Sequence, residues 1–226
     1  SGEAEWQEFI NCLTTNLTSF FREEHHFHAF ADDLKARGVS NPRIWCNAAS
    51  TGEEPYSIAI YLLERWPLIA QYEVEILSSD IDTTVLSAAQ RGLYSPRSVA
   101  NLPQEYLARY FRRTGDGEFQ ISQDLIDAVE FSRVNLSDAS DTRRFRGIDI
   151  IYCRNLLIYF DDLSRRVAAE AMYDALNPGG FVCLGHSESM SRISSLYTVR
   201  RFDAAGKAIW RGVSGGRSFM PLTDPG

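Results

Sequence analysis

No apolar run in this 226-residue chain approaches the roughly 20 residues that cross a bilayer. The N-terminus also lacks the charged-then-apolar pattern of a secretory leader, so the chain reads as cytoplasmic and not inserted in a membrane. Positive charge is scarce. Lys and Arg number 23 against 30 Asp and Glu, a net charge of −7, which disfavours nonspecific attraction to nucleic acid or anionic lipid. Cysteine is sparse as well: Cys12, Cys46, Cys153 and Cys183 are far apart and have no zinc-ligand spacing. The last three sit in apolar, strand-like runs, so buried reduced thiols are expected. Neither G-x-G-x-x-G nor G-x-x-x-x-G-K-[ST] occurs, which removes the two usual cradles for a pyrophosphate. No Ser-His-Asp or Cys-His arrangement stands out.

What is present fits one globular domain, or one with a small insertion: 44% of residues are hydrophobic and 23% charged. The chain starts Ser1-Gly2, which reads as a cloning remnant. Residues 3–13 place Trp6, Phe9, Ile10 and Leu13 on one helical face. This helix, within residues 1–14, is read as a linker left from an upstream helical domain. A polar break at Thr14–Thr18 precedes a second helical stretch with Phe27, Phe30 and Leu34 on one side, closed by Gly38 and Pro42. From Arg43 the pattern alternates. Ile44–Asn47, Val74–Ser78, Val129–Val134, Ile148–Cys153 and Phe181–Leu184 read as strands, and Pro55–Arg65, Thr83–Arg91 and Leu163–Leu176 as helices. Alternation of this kind predicts a parallel sheet covered on both faces. Tyr197–Phe202 and Lys207–Arg211 flank a turn-rich segment and predict a terminal antiparallel hairpin. Tyr110–Arg113 and Glu118–Ser122 flank Thr114-Gly115-Asp116-Gly117 and predict a small antiparallel insertion at about 107–131, either a binding element or a plain surface hairpin. After Gly212 the Gly, Ser and Pro content predicts a disordered tail over 213–226.

The strongest local signal runs from Ile44 to Pro55. An apolar strand passes into Ala48-Ala49-Ser50-Thr51-Gly52 and enters a helix whose start is marked by Ser50-x-x-Glu53 or Thr51-x-x-Glu54 capping spacing and by Pro55. This is the form of a nucleotide-binding first crossover, with small side chains that let a ligand approach the backbone. Glu53 and Glu54 would repel a phosphate from the helix start. A ligand with an adenosine and a positive group in place of phosphates suits the turn, and S-adenosylmethionine has that form. An ordinary capping box with solvated glutamates would account for the turn alone. The next strand, however, ends at Asp80, where an acid can accept both ribose hydroxyls. Asp82 is the rival and is better employed as the cap of the following helix. Asn135 and Asn155 follow two later strands and can reach the same open edge of the sheet.

These residues resemble the chemotaxis receptor methyltransferase family, CheR. The resemblance rests on Thr14–Glu23, Ala49–Ser57, Ser79–Asp82 and Cys153–Phe160 followed by Gly185-His186-Ser187-Glu188, and it covers about Trp6 to Arg211. It implies a class I S-adenosylmethionine-dependent methyltransferase of Rossmann-like α/β fold over residues 15–212, with a small inserted β-subdomain that contacts receptors. The implied reaction esterifies glutamate side chains on chemoreceptor cytoplasmic helices and leaves S-adenosylhomocysteine. By position in the motifs, Asn16, Thr18 and Arg22 would approach the methionine end, Glu54 would hold the ammonium and Asp80 the ribose. Asn135-Leu136 and Asn155-Leu156 would line the adenine and methionine pocket, and Tyr159 would face the methyl group. The short hairpin loop implies recognition independent of a receptor's C-terminal pentapeptide, and a monomer is expected.

A glutamate with an ordinary pKa near 4.3 is ionised at neutral pH, so methyl transfer to it needs no general base. Alignment and partial dehydration would supply the acceleration. Arg22 can orient the incoming carboxylate through its planar fork, and Tyr159 can steer it. His25, His26 and His28 do not have the partners of a metal site, and no metal is expected. His186 is read as a structural hydrogen-bonding group in preference to a cofactor contact. Arg109, Arg112 and Arg113 can face an acidic receptor helix, although Arg143, Arg144 and Arg146 show that basic clusters also occur on a solvated surface. Two other readings remain: a small-molecule carboxyl methyltransferase, and a cofactor-binding adaptor without turnover.

Overall fold

The computed structural model describes residues 18–22, 25–66, 69–185, 197–199 and 218–221. The expected helix at 3–13, Asn16, Cys12, His186 and the second strand of the terminal hairpin lie outside these residues. In chain order the elements are α1 (His25–Arg37), β1 (Arg43–Asn47), α2 (Glu53–Arg65), β2 (Glu75–Asp80), α3 (Thr83–Arg91), β3 (Leu93–Tyr94), α4 (Gln104–Tyr110), β4 (Phe111–Arg113), β5 (Phe119–Ile121), α5 (Gln123–Asp127), β6 (Val129–Arg133), α6 (Ala139–Thr142), β7 (Ile148–Cys153), α7 (Asp162–Ala175), β8 (Leu176–Leu184), β9 (Thr198–Val199) and β10 (Ser218–Pro221).

β1 and β7 each carry a continuous apolar run, Ile44–Cys46 and Ile150–Cys153, because both faces are covered: every residue of β7 and all but the first of β1 are buried. Successive side chains divide between two clusters. Ile44 and Cys46 face one that includes Phe27, Leu34, Tyr56 and Ile58, and Trp45 faces one that includes Ile151, Ala168 and Met172. Trp45 stacks on Phe145 with ring centroids 4.0 Å apart.

Among the described residues the main sheet has seven strands in the order β6-β2-β1-β7-β8-β10-β9, all paired in parallel. The chain steps outward from β1 through β2 to β6, then returns to β7 on the other side of β1. The order therefore reverses between β1 and β7, and the loops leaving their C-terminal ends part to open a crevice. This is the doubly wound α/β arrangement that the alternation predicts. The second strand of the predicted antiparallel hairpin, Lys207–Arg211, lies outside the described residues; beyond it, β10 pairs in parallel with both β8 and β9. Ser218–Pro221 satisfies the open edge of β8 from within a tail whose composition predicts disorder.

β3, β5 and β4 form a separate antiparallel sheet. The β4–β5 hairpin is the predicted one; its turn is closed by Thr114 N–H to Glu118 O (2.8 Å) and Gly117 N–H to Thr114 O (3.1 Å). β3 is too short to show a sequence pattern. Val129, placed at the end of the predicted insertion, begins a strand of the main sheet. Tyr94, Tyr106, Phe111 and Ile121 belong to the same buried cluster as Ile44, Tyr56 and Ile58, so the two sheets share one core.

Candidate functional site

The crevice at the switch point is built on the turn that follows β1. Ser50 and Gly52 both take left-handed backbone, with φ of 47° and 95°. Glycine is required at the second position, since a Cβ on Gly52 would lie 2.9 Å from the Tyr56 ring and from the Tyr94 hydroxyl. Backbone bonds hold the turn against β2: Ala49 N–H donates to Ser79 O (2.8 Å) and Ser50 N–H to Asp80 Oδ2 (2.9 Å). From the small sheet, the Tyr94 hydroxyl donates to Thr51 O at 2.8 Å.

The expected capping box does not form. α2 starts after Gly52 with no side-chain cap, and Thr51 Oγ1 donates instead to Glu53 Oε2 at 2.6 Å. The left-handed residue at Gly52 turns Ser50 and Thr51 away from the first N–H groups of the helix. Pro55 does lie in the first turn. Glu53 is buried, with 2% exposure, and burial raises its carboxyl above the ordinary value against the pull of the Thr51 hydroxyl. It is not a solvated glutamate at the crevice mouth.

Asp80 and Asp82 are engaged by different partners, and only Asp82 takes a role the structure shows, the cap that the sequence assigns to it. Asp82 caps α3, its Oδ1 accepting from Thr84 N–H (2.8 Å) and Val85 N–H (3.3 Å). Asp80 ends β2 with 6% exposure; one oxygen accepts from Ser50 N–H and the other from Asp82 N–H at 3.0 Å. Burial raises the Asp80 carboxyl, and the N–H groups of Asp82 and Ser50 partly offset this. The Ile81 N–H also bears on this carboxylate, which still keeps acceptor capacity toward the crevice.

Two cavities lie along the C-terminal strand edges and meet at Ala48, which lines both. The smaller, about 90 Å³, is bordered by Thr18, Arg22, Glu54, Ser57, Arg154 and Asn155. The larger, about 300 Å³, is bordered by Asn47, Asp80, Asn135, Leu136, Leu156 and Tyr159. The predicted residues that the structure describes thus fall into two adjoining groups. Arg22 and Tyr159 border different compartments and do not share one. Tyr159 is 64% exposed. Asn135 spends its side-chain oxygen locally, accepting from Ser137 N–H at 3.1 Å. Asn155 holds a left-handed φ of 55° where the chain leaves β7.

The donor set fits an adenosine carrying a cationic amino-acid tail. The Asp80 oxygens suit a diol, Leu136 and Leu156 supply apolar walls, and Glu54 supplies the anion for an ammonium. Nδ2 of Asn47, buried beside the larger cavity, has no hydrogen-bond partner among the described residues, so a polar ligand group there has a donor waiting.

Sequence reasoning passed over Arg154, Ser57 and Asn47. Arg154 pairs with Glu54 at 3.4 Å, its side chain 5% exposed. The available signal was a charged residue placed directly after a buried strand that is apolar but for Asp149. Ser57 Oγ donates to Glu53 O (2.5 Å) and accepts from Phe21 N–H (3.0 Å), fastening the segment with Thr18 and Arg22 onto α2. Cys46, Cys153 and Cys183 are buried free thiols. A further cavity of about 580 Å³ opens beside the small sheet between Arg91, Arg109, Arg112 and Gln123. There Arg109 is paired with Glu64, which also accepts from the Tyr110 hydroxyl at 2.6 Å.

Residues 16–205 match the model of a family described as CheR methyltransferase, SAM binding domain. A chemotaxis protein methyltransferase 2 of Vibrio cholerae is 48% identical over 207 residues, which is 89% of this chain and 72% of that protein. The chemotaxis protein methyltransferase of Escherichia coli is 41% identical over 206 residues, 87% of this chain and 68% of that protein. That of Salmonella typhimurium is 42% identical over 211 residues, 92% and 70% respectively.

Proposed function

The chain belongs to the CheR methyltransferase family, and on that premise we propose that it methylates glutamate side chains on the cytoplasmic helices of chemoreceptors. It is a methyltransferase of chemotaxis with S-adenosylmethionine as cofactor. The observation that supports the finer reading is the crevice itself: Asp80 and Glu54 lie in its two compartments, and among the described residues no histidine lines either, which suits an acceptor that need not first lose a proton. A glutamate acceptor arrives already ionised.

When bound, S-adenosylmethionine supplies an electrophilic methyl group on a positive sulfur. Asp80 accepts the ribose hydroxyls with the lone pairs its backbone partners leave free, and Glu54 takes the ammonium. Leu136 and Leu156 exclude water from the base, with Asn135 and Asn155 at the rims of the two compartments. Thr18 and Arg22 close the methionine end, where Arg22 aligns the acceptor carboxylate through its planar guanidinium. Tyr159, at the exposed mouth, steers the acceptor toward the methyl group. Asn16, in the same motif as Thr18, is assigned to the methionine end on the family pattern alone. Positioning and water exclusion provide most of the acceleration, because opposite charges cancel as the bond forms.

The receptor is read as the partner, with the small sheet as a contact surface and with no pentapeptide anchor, in keeping with the short β4–β5 turn. A cytoplasmic monomer suits this role; no helix among the described residues is long and apolar enough to cross a membrane. The test is incubation of the full-length enzyme with methyl-labelled cofactor and a receptor cytoplasmic fragment, followed by alkali treatment. Label released as methanol is the expected result. Intact cofactor binding with no label on any receptor fragment would favour the non-catalytic adaptor, and label on a small carboxylic acid alone would favour the small-molecule enzyme.

A further inference from the structure

Arg154 follows directly on β7, whose residues are all buried, and its own side chain is 5% exposed. Its Nη1 lies 3.4 Å from Glu54 Oε1 at the start of α2 and donates to the carbonyl oxygen of Arg22 at 3.3 Å. Three segments that are remote in sequence therefore meet at one guanidinium beside the smaller cavity. We propose that Arg154 is the positioning residue of the cofactor-ammonium site: it keeps Glu54 ionised and aimed into the crevice, and it pins the segment that carries Arg22 over the same cavity. This rests on the reading of Glu54 as the ammonium's partner.

The surroundings of Glu54 show why it needs a resident cation. Its side chain is only 17% exposed, and a carboxylate so enclosed gains a proton unless an opposite charge stands close by. Cys46 of β1, Tyr152 of β7 and Cys183 of β8 all feel the Glu54 charge. Burial raises each of them above its ordinary value and Glu54 raises them further, so they hold their protons at neutral pH. None supplies positive charge. Glu53, the neighbour on the same helix, is engaged with Thr51. Arg22 presents its backbone carbonyl to the cluster while the residue as a whole is exposed. Arg154 stands in ion-pair range of Glu54, 3.4 Å away. Arginine suits the task better than lysine because it cannot deprotonate in the accessible range and its forked donors serve a carboxylate and a carbonyl together. A protonated Glu54 would have no charge with which to hold an ammonium.

Calorimetric titration of the full chain with S-adenosylhomocysteine, from about pH 5.5 to 8.5, tests this. Arg154→Gln is expected to weaken binding about tenfold or more near neutral pH. Its affinity should climb as pH rises and Glu54 ionises, whereas the unmutated chain stays flat. Arg154→Lys is expected to recover the flat profile and much of the affinity. A merely structural role would lower affinity equally at every pH, and that outcome overturns the proposal, as does native affinity in Arg154→Gln. Glu54→Gln separates the two readings. Weak binding there with native binding in Arg154→Gln rejects the role of Arg154 alone, while native binding in Glu54→Gln rejects the ammonium site and this proposal together. If Arg154→Gln does not fold, carbon-13 NMR of the Glu54 carboxyl in the unmutated chain decides: a carboxylate at neutral pH supports the proposal, and a protonated acid overturns it.

Discussion

Asp80 and Glu53 are both buried acids, yet they stand in opposite relations to the crevice. Asp80 is held by the N–H groups of Ser50 and Asp82 and still has lone pairs to offer. Removing it deletes charge-assisted bonds to both hydroxyls of the proposed ribose, each worth about 1.5–3 kcal/mol. Asp80→Ala should lower affinity for S-adenosylhomocysteine by at least about a hundredfold in calorimetry; a change under about threefold would remove Asp80 from the site. Glu53 lines none of the three cavities described above and acts on stability. Its folded-state carboxyl is raised above the ordinary 4.5, chiefly by burial. Such a group contributes stability that is complete below that value and is lost as pH rises through the elevated one. Urea melts should therefore show the unmutated chain losing stability across mildly acidic pH, with a shallower loss in Glu53→Gln, whose amide oxygen can still accept from Thr51. Equal slopes in the two proteins would count against a titrating Glu53.

At the scale of elements, the turn between β1 and α2 is shaped by Gly52 more than by any polar side chain. Gly52→Ala sets a left-handed alanine against Tyr56 and Tyr94. It should cost about 1–3 kcal/mol in chemical denaturation and should weaken cofactor binding as well. Ser57→Ala frees Phe21 N–H and Glu53 O together. The expected loss is about 1 kcal/mol, with a lower kcat for methyl transfer because Arg22 rides on the loosened segment. The central elements were legible because their pattern and their burial have the same cause: β7 matches its predicted bounds, and α3 begins at the residue after Asp82, a side chain whose acceptor has one obvious use. The capping box was misread because Ser50-x-x-Glu53 spacing says nothing about the sign of φ at Gly52. Glu53 and Glu54 look alike in a sequence. On a helix they are about 100° apart, so one turns into the core and the other toward the crevice, and only the packing of Tyr94 and Ser57 decides which. Arg154 was hidden for a related reason: its partners, Glu54 of α2 and Arg22, lie 100 and 132 positions earlier in the chain.

For the molecule as a whole, a net charge of −7 conceals how the charges are distributed. Glu54 and Asp80 gather at the crevice. Beside the small sheet, at the end of α4, Arg109 is already occupied by Glu64, while Arg112 and Arg113 on β4 are exposed. Arg112 and Arg113 are thus the cations available to an acidic receptor helix. Changing both to Glu should lower kcat/KM for a receptor fragment and flatten its dependence on salt, leaving affinity for S-adenosylhomocysteine unaltered. Unchanged receptor kinetics would clear that surface of the role. The shared core limits how such a surface can be altered. Phe20 sets its ring edge-on to Tyr94 and Phe111, at centroid distances of 4.7 and 5.1 Å, and its N–H donates to Ser98 O. The small sheet is therefore not a detachable module. A chimera that borrows it from a relative to redirect receptor choice must carry the partner of Phe20 along with the strands, and a simple deletion would expose the hydrophobic face that Tyr94, Phe111 and Ile121 now cover. If the small sheet is the receptor contact proposed above, receptor preference would drift by substitution at its exposed positions, whereas exchange of the whole element requires that several distant segments change together.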